Sequence, residues 1–163
     1  MQASASSKLS RHTIWLFAFG AIIAGIGISY AVAGLGQKVA AGAYFAVVAA
    51  AGFASMYFTR ARLRGAVLAF LSVATIAAIA YFFLVSHIFA TATSTMADAV
   101  SGGQAHADGV KAGGVMGHFF GVFVAIIVFL ETTIAGIGGA IAGDRSRGKD
   151  GGSALAALAR SAR

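Results

Sequence analysis

Acidic residues are scarce in this chain, only five among 163, and Glu131 stands inside the apolar run FVAIIVFLETTIAGIGGAIAG. It precedes Asp144 by 13 residues, about 20 Å of helical rise, so it falls near the middle of a bilayer if that run spans one. A charged side chain at the centre of a membrane helix costs at least ~2.5 kcal/mol on insertion scales, so its presence asks for a reason. Uptake and release of a proton or cation is the chemistry it fits. Thr132 and Thr133 adjoin it, and Thr75, 11 residues past Arg64 on another apolar run, falls at nearly the same depth. A plainer reading is a neutral carboxyl that hydrogen-bonds across a helix interface and helps hold a bundle together.

Histidines form the second group. His87 lies near the end of the third apolar run and His118 near the start of the fourth. Consecutive antiparallel helices would bring the two imidazoles to similar depth, where facing histidines can ligate a b-type haem or a metal ion. His106, with Asp98 and Asp108, would extend the metal-ligand set to His87, His106 and His118 plus oxygen donors. Histidines at membrane interfaces are also ordinary, and this spacing is not diagnostic. His118 and Glu131 are 13 residues apart, roughly 220° around a helix, which assigns them to different sites. There is no Cys, which excludes disulfides, thiolate metal sites and thiol catalysis. No phosphate-binding, zincin, nucleophile-elbow or dinucleotide fingerprint occurs, so a catalytic role is not expected.

These residues must be positioned by the rest of the chain, 59% hydrophobic and 10% charged. A soluble domain of this size needs a more polar shell than that. Four apolar runs, at about 13–35, 39–59, 65–90 and 115–143, each reach the roughly 20 residues that cross a bilayer. Helices satisfy their own backbone polar groups in hydrocarbon, so the expected fold is an all-α bundle of four transmembrane helices. The first run follows Lys8 and Arg11 and ends in the signal-like Ala31-Val32-Ala33. It exceeds a usual signal core in length, which predicts a retained helix.

Ten basic residues, Lys8, Arg11, Arg60, Arg62, Arg64, Arg145, Arg147, Lys149, Arg160 and Arg163, flank one set of helix ends, and only Lys38 and Lys111 the other. Basic loops stay on the cytoplasmic side, which predicts a bacterial inner-membrane protein with both ends in the cytoplasm. The expected plan is a cytoplasmic N-terminus at 1–12, a membrane domain at 13–143 with one long outer loop at 91–114, and a basic tail at 144–163. Within that tail Ser153 can cap a short helix carrying Leu155 and Leu158. The net charge of +7 suits anionic headgroups rather than nucleic acid, since no groove-reading motif accompanies it.

Membrane helices associate through close packing, which small residues permit. Ala21 with Gly25, Gly27 with Ala31, Gly117 with Gly121 and Gly139 with Gly143 are each four apart. They serve packing within the chain, self-association or docking to another subunit. Ala135, Gly138 and Ala142 share the face of Glu131. Trp15, Tyr30, Tyr44, Tyr57 and Tyr81 fall mostly toward span ends, as an interfacial aromatic belt requires.

AGIGISYAVAGLGQKVAAGA (24–43) and FLETTIAGIGGAIAG (129–143) resemble the two helices of the rotary-ATPase proteolipid family. In that resemblance Glu131 would be the ion-carrying carboxylate. It covers two fragments only, the basic turn at 60–64 and the outer loop follow another plan, and Thr75 stands where a duplicated carboxylate would fall. The chain is therefore assigned to no family. The leading expectation is an accessory subunit of a larger membrane complex, of the energy-transducing or redox kind, with a haem or metal at His87 and His118. The alternatives are a homo-oligomeric proton or cation conductor working through Glu131, and a membrane-pore toxin or its immunity partner.

Overall fold

A computed structural model describes residues 2–59, 62–101 and 106–161, with side chains at 12–59, 62–100 and 106–148. Lys8, Arg11, Arg60, Lys149, Ser153, Leu155, Leu158, Arg160 and Arg163 lie outside the described side chains. Four helices follow in order: α1 (Gln2–Ala31), α2 (Gln37–Phe58), α3 (Leu63–Ser101) and α4 (His106–Ser161). The sequence has no Pro, so nothing removes a backbone donor or forces a kink inside them. Each helix holds a segment long and apolar enough to cross a membrane: His12–Ala31, Gln37–Phe58, Leu63–Val100 and His106–Gly148. The fold class is all-α, and the architecture is that of a multi-pass membrane protein.

The links are short. A 3-10 turn at Ala33–Leu35 joins α1 to α2 and ends at Gly36, whose φ of 115° is a conformation that a side chain would strain. The Ser29 hydroxyl donates to the Ala40 carbonyl at 2.7 Å and ties the two helices beside that turn. At the other end of α2 the backbone turns extended at Thr59, whose hydroxyl donates back to the Ser55 carbonyl.

The segment expected to be a long outer loop is helical at 91–101 and 106–114, and 102–105 lie outside the described residues. The polar residues there do not end α3 because they bond back onto it. Thr93 donates to the Phe89 carbonyl, and Ser94 and Thr95 both donate to that of Thr91. Such back-bonding leaves the helical ladder in place.

The chain divides into two compact units. One comprises residues up to Val73 and from Glu131 onward, and the other is Ala74–Leu130. In the first, α1, α2, the start of α3 and the latter part of α4 close around Ile14, Ala18, Val48, Met56, Phe70, Val73 and Ala140, all buried. The second is a pair of helical segments whose large side chains, Phe83, Val115, Phe119 and Phe123 among them, are mostly exposed. At most 28% of the apolar window of any span is buried inside the chain. So much uncovered apolar surface is untenable in water and ordinary in lipid.

Candidate functional site

Glu131 opens the part of α4 that belongs to the first unit, and it is part-buried. The next residue, Thr132, turns inward, is fully buried and shares a 2.7 Å hydrogen bond with the Tyr44 hydroxyl of α2. The Tyr44 ring in turn lies against α1, where a Cβ added at Gly25 would come within 2.8 Å of it. Thr132 is thus held by a three-helix junction. Tyr44 is buried there, not part of an aromatic belt. The sequence does not reveal this role, because a position seven residues into its helix reads equally well as interfacial. Thr133 also has a buried hydroxyl, without a hydrogen-bond partner among the described residues. Thr75 is exposed and belongs to the second unit.

Within its own unit, Glu131 makes no hydrogen bond or ion pair among the described residues. One helix face beside it is open. Ile134, Gly138 and Ala142 are exposed, and a Cβ at Gly138 would meet nothing within 4 Å. Ala135, by contrast, is buried.

The opposite side of α4 is closed against α2. A Cβ at Gly139 would strike the Ala49 carbonyl, one at Gly143 the Phe53 carbonyl, and one at Gly52 the Gly136 carbonyl. A Cβ at Gly136 would itself strike the Phe70 ring. Close helix approach of this kind is what small residues allow in lipid. At the end of the same interface Arg147 donates through Nη1 to the Met56 and Thr59 carbonyls at 3.2 and 2.6 Å, and through Nη2 to Asp144 at 2.6 Å. A cation there satisfies the unpaired carbonyls that end α2.

In the second unit α4 meets α3 along four glycines spaced by four. Cβ atoms at Gly109, Gly113, Gly117 and Gly121 would press on Ala97, Thr93, Ser86 and Phe82 respectively, at 2.7 to 3.1 Å. Gly109 and Gly113, in the segment expected to be loop, continue the repeat of four that includes Gly117 and Gly121.

Each histidine has its own surroundings. His87 is exposed. His118 is also exposed, donating through Nδ1 to the Gly114 carbonyl at 2.6 Å and meeting Phe82 edge-on at 5.4 Å between ring centroids. His106 pairs instead with Asp98, 2.6 Å from Nδ1 to Oδ2. Among the described residues no three His, Cys, Asp or Glu side chains gather closely enough to hold one metal ion.

Two apolar grooves are present. In the first unit a groove of about 600 Å³ lies along α1 and α2, lined by Leu16, Phe17 and the small residues Gly20, Ala24, Ala50 and Ala54. In the second unit a groove of about 560 Å³ lies between α3 and α4, walled by Ile79, Phe82, Phe83, Ile126, Phe129 and Leu130. Neither His87 nor His118 lines either groove. Comparison with protein families, with curated proteins and with solved structures finds no match to this chain.

Proposed function

We propose that this chain is an accessory subunit of a larger assembly in a bacterial inner membrane, with both ends on the cytoplasmic side, and that it contributes packing surface rather than chemistry. The groove along α1 and α2 carries the reading. Its small residues, Gly20, Ala21, Ala24, Ala50, Ala51 and Ala54, let the backbone of another transmembrane helix approach closely. Dispersion contacts then do what the hydrophobic effect cannot do in lipid. The placement in the membrane draws on the distribution of Lys and Arg.

The test is gentle extraction of the full chain from its native membranes, followed by measurement of particle mass and composition. A heteromeric particle with defined stoichiometry is expected. A particle containing this chain alone, at any copy number, overturns the proposal.

A second reading, proton or cation conduction through Glu131 in a homo-oligomer, is favoured by the part-buried carboxyl without a partner in its own unit. Flux into vesicles holding the purified chain tests it. Unchanged flux in Glu131→Gln removes it.

A further inference from the structure

We infer that Glu131 pairs, inside the membrane, with a basic side chain on a transmembrane helix of a different subunit, and that this helix packs on the α4 face bearing Ile134, Gly138 and Ala142. The inference rests on the accessory-subunit reading and names the chemistry of the partner.

Depth comes first. Along α2 and α4 the contacts Tyr44 to Thr132, Ala49 to Gly139, Phe53 to Gly143 and Thr59 to Arg147 advance together, so the two helices run parallel and in register. Tyr44 lies seven residues from the start of α2 and 14 from its end at Phe58, about 10 and 21 Å respectively. Glu131, one residue from the Thr132 that bonds Tyr44, shares that level. It is remote from the headgroups at either end of α2.

A carboxyl at that depth needs a partner. Ionisable residues in transmembrane segments are paired or face water, because neither charge nor unmet hydrogen bonds are tolerated by hydrocarbon. The first unit offers Glu131 no hydrogen bond or ion pair among the described residues, and its Thr132 neighbour is already committed to Tyr44.

The two sides of α4 then differ in a telling way. Gly136, Gly139 and Gly143 are filled by Phe70 and by the backbone of α2, whereas Gly138 faces open space. With Ala142 it makes a small-x-x-x-small pair on exposed surface, next to Glu131, where a foreign helix can come close.

A second copy of this chain brings no Lys or Arg to the level of Glu131. In the described spans the Lys and Arg residues stand only near the ends, at Lys38, Arg64, Lys111, Arg145 and Arg147. A self-symmetric contact would set carboxyl against carboxyl. The complement is a Lys or Arg in the middle of another subunit's span.

The absence of Cys makes the test clean. Gly138→Cys places one reactive thiol on the face, in open space, in the full chain expressed in its native membranes. Thiol-directed cross-linking and mass spectrometry then identify the attached peptide. The expected product is a transmembrane peptide of another protein with a basic residue within a turn of the linkage. Adding Glu131→Gln should lower the yield at least about tenfold, as truncation of a buried charge pair does, and Glu131→Asp should retain part of it. Exchanging Glu131→Lys with the partner's basic residue changed to Glu should restore the product.

Linkage to a second copy of this chain, no product, or an undiminished yield with Glu131→Gln each overturns the inference. Particle mass measured on the same extracts separates the two failures. A heteromeric particle without the expected linkage leaves the accessory-subunit reading standing. A particle of this chain alone removes both.

Discussion

The two units are built from the same residue types by different rules. In the first unit four helical segments surround a core, and α4 meets α2 backbone to backbone through Gly52, Gly136, Gly139 and Gly143. Tyr44 and Thr132 enter that core as a pair and Arg147 caps the end of α2, while the Thr133 hydroxyl has no hydrogen-bond partner among the described residues. In the second unit two segments meet along one seam, Gly109 to Gly121 against Phe82 to Ala97. Phe82 and Phe89 border the seam, Phe89 stacking on Phe120 with centroids 5.1 Å apart, while Phe83, Phe119 and Phe123 stay exposed. Enclosure requires at least a third helix. A seam requires only a repeat of small residues, and it leaves large side chains for lipid or for other proteins.

Substitutions at neighbouring glycines separate enclosure from seam. The largest effect is expected for Gly139→Leu, which must push α2 away from α4 at the Ala49 carbonyl. A loss of about 3 kcal/mol, the upper end of ordinary overpacking, is expected in equilibrium unfolding from detergent micelles. Gly138→Leu, one residue earlier and facing open space, should be nearly neutral. Equal losses at the two positions would show that the core of the first unit is not closed as described.

Gly117→Leu is the corresponding change in the seam, where its Cβ already comes within 2.8 Å of the Ser86 backbone. The expected cost is about 1–2 kcal/mol. Hydrogen exchange should quicken in 82–97 and 109–121 and stay slow at 44–56. If 44–56 quickens equally, the two units do not respond separately.

Tyr44→Phe should cost about 1 kcal/mol. It removes a hydroxyl from a buried bond and strands Thr132, although hydrogen bonds in membrane proteins are individually modest. Tyr44→Phe combined with Thr132→Val should recover part of the loss, and a double mutant as unstable as the two single losses added would deny the coupling.

The smallest effect belongs to the second unit. His106 and Asp98 are 58% and 37% exposed, and pairs in such settings contribute roughly 0–1 kcal/mol. His106→Ala should change thermal unfolding little, and the difference should fade as salt is raised.

How far the residues announce this architecture varies with the kind of signal. Four long apolar runs can only be helices in lipid, so the fold class follows from composition and length. The helical stretches at 91–101 and 106–114 are hard to read because Ser, Thr and Gly mark loops in water, whereas here they bond back to the helix or fit a seam. Glu131 is visible because a carboxyl among apolar residues is rare. The role of Thr132 is not, because it depends on Tyr44 lying 88 positions earlier on a parallel helix. Arg147 is readable as a basic residue beyond a span, but its grip on Met56 and Thr59 needs the α2–α4 register, which periodicity within one helix does not contain.

That grip sets an order of events during synthesis. The carbonyls that end α2 leave the ribosome 88 to 91 positions ahead of the guanidinium that receives them, and until then only water or headgroups can bond them. The rim of the α1–α2 hairpin that Arg147 covers is therefore completed only once α4 lies alongside it. A chain cut short before Arg147 would leave the Met56 and Thr59 carbonyls without that donor.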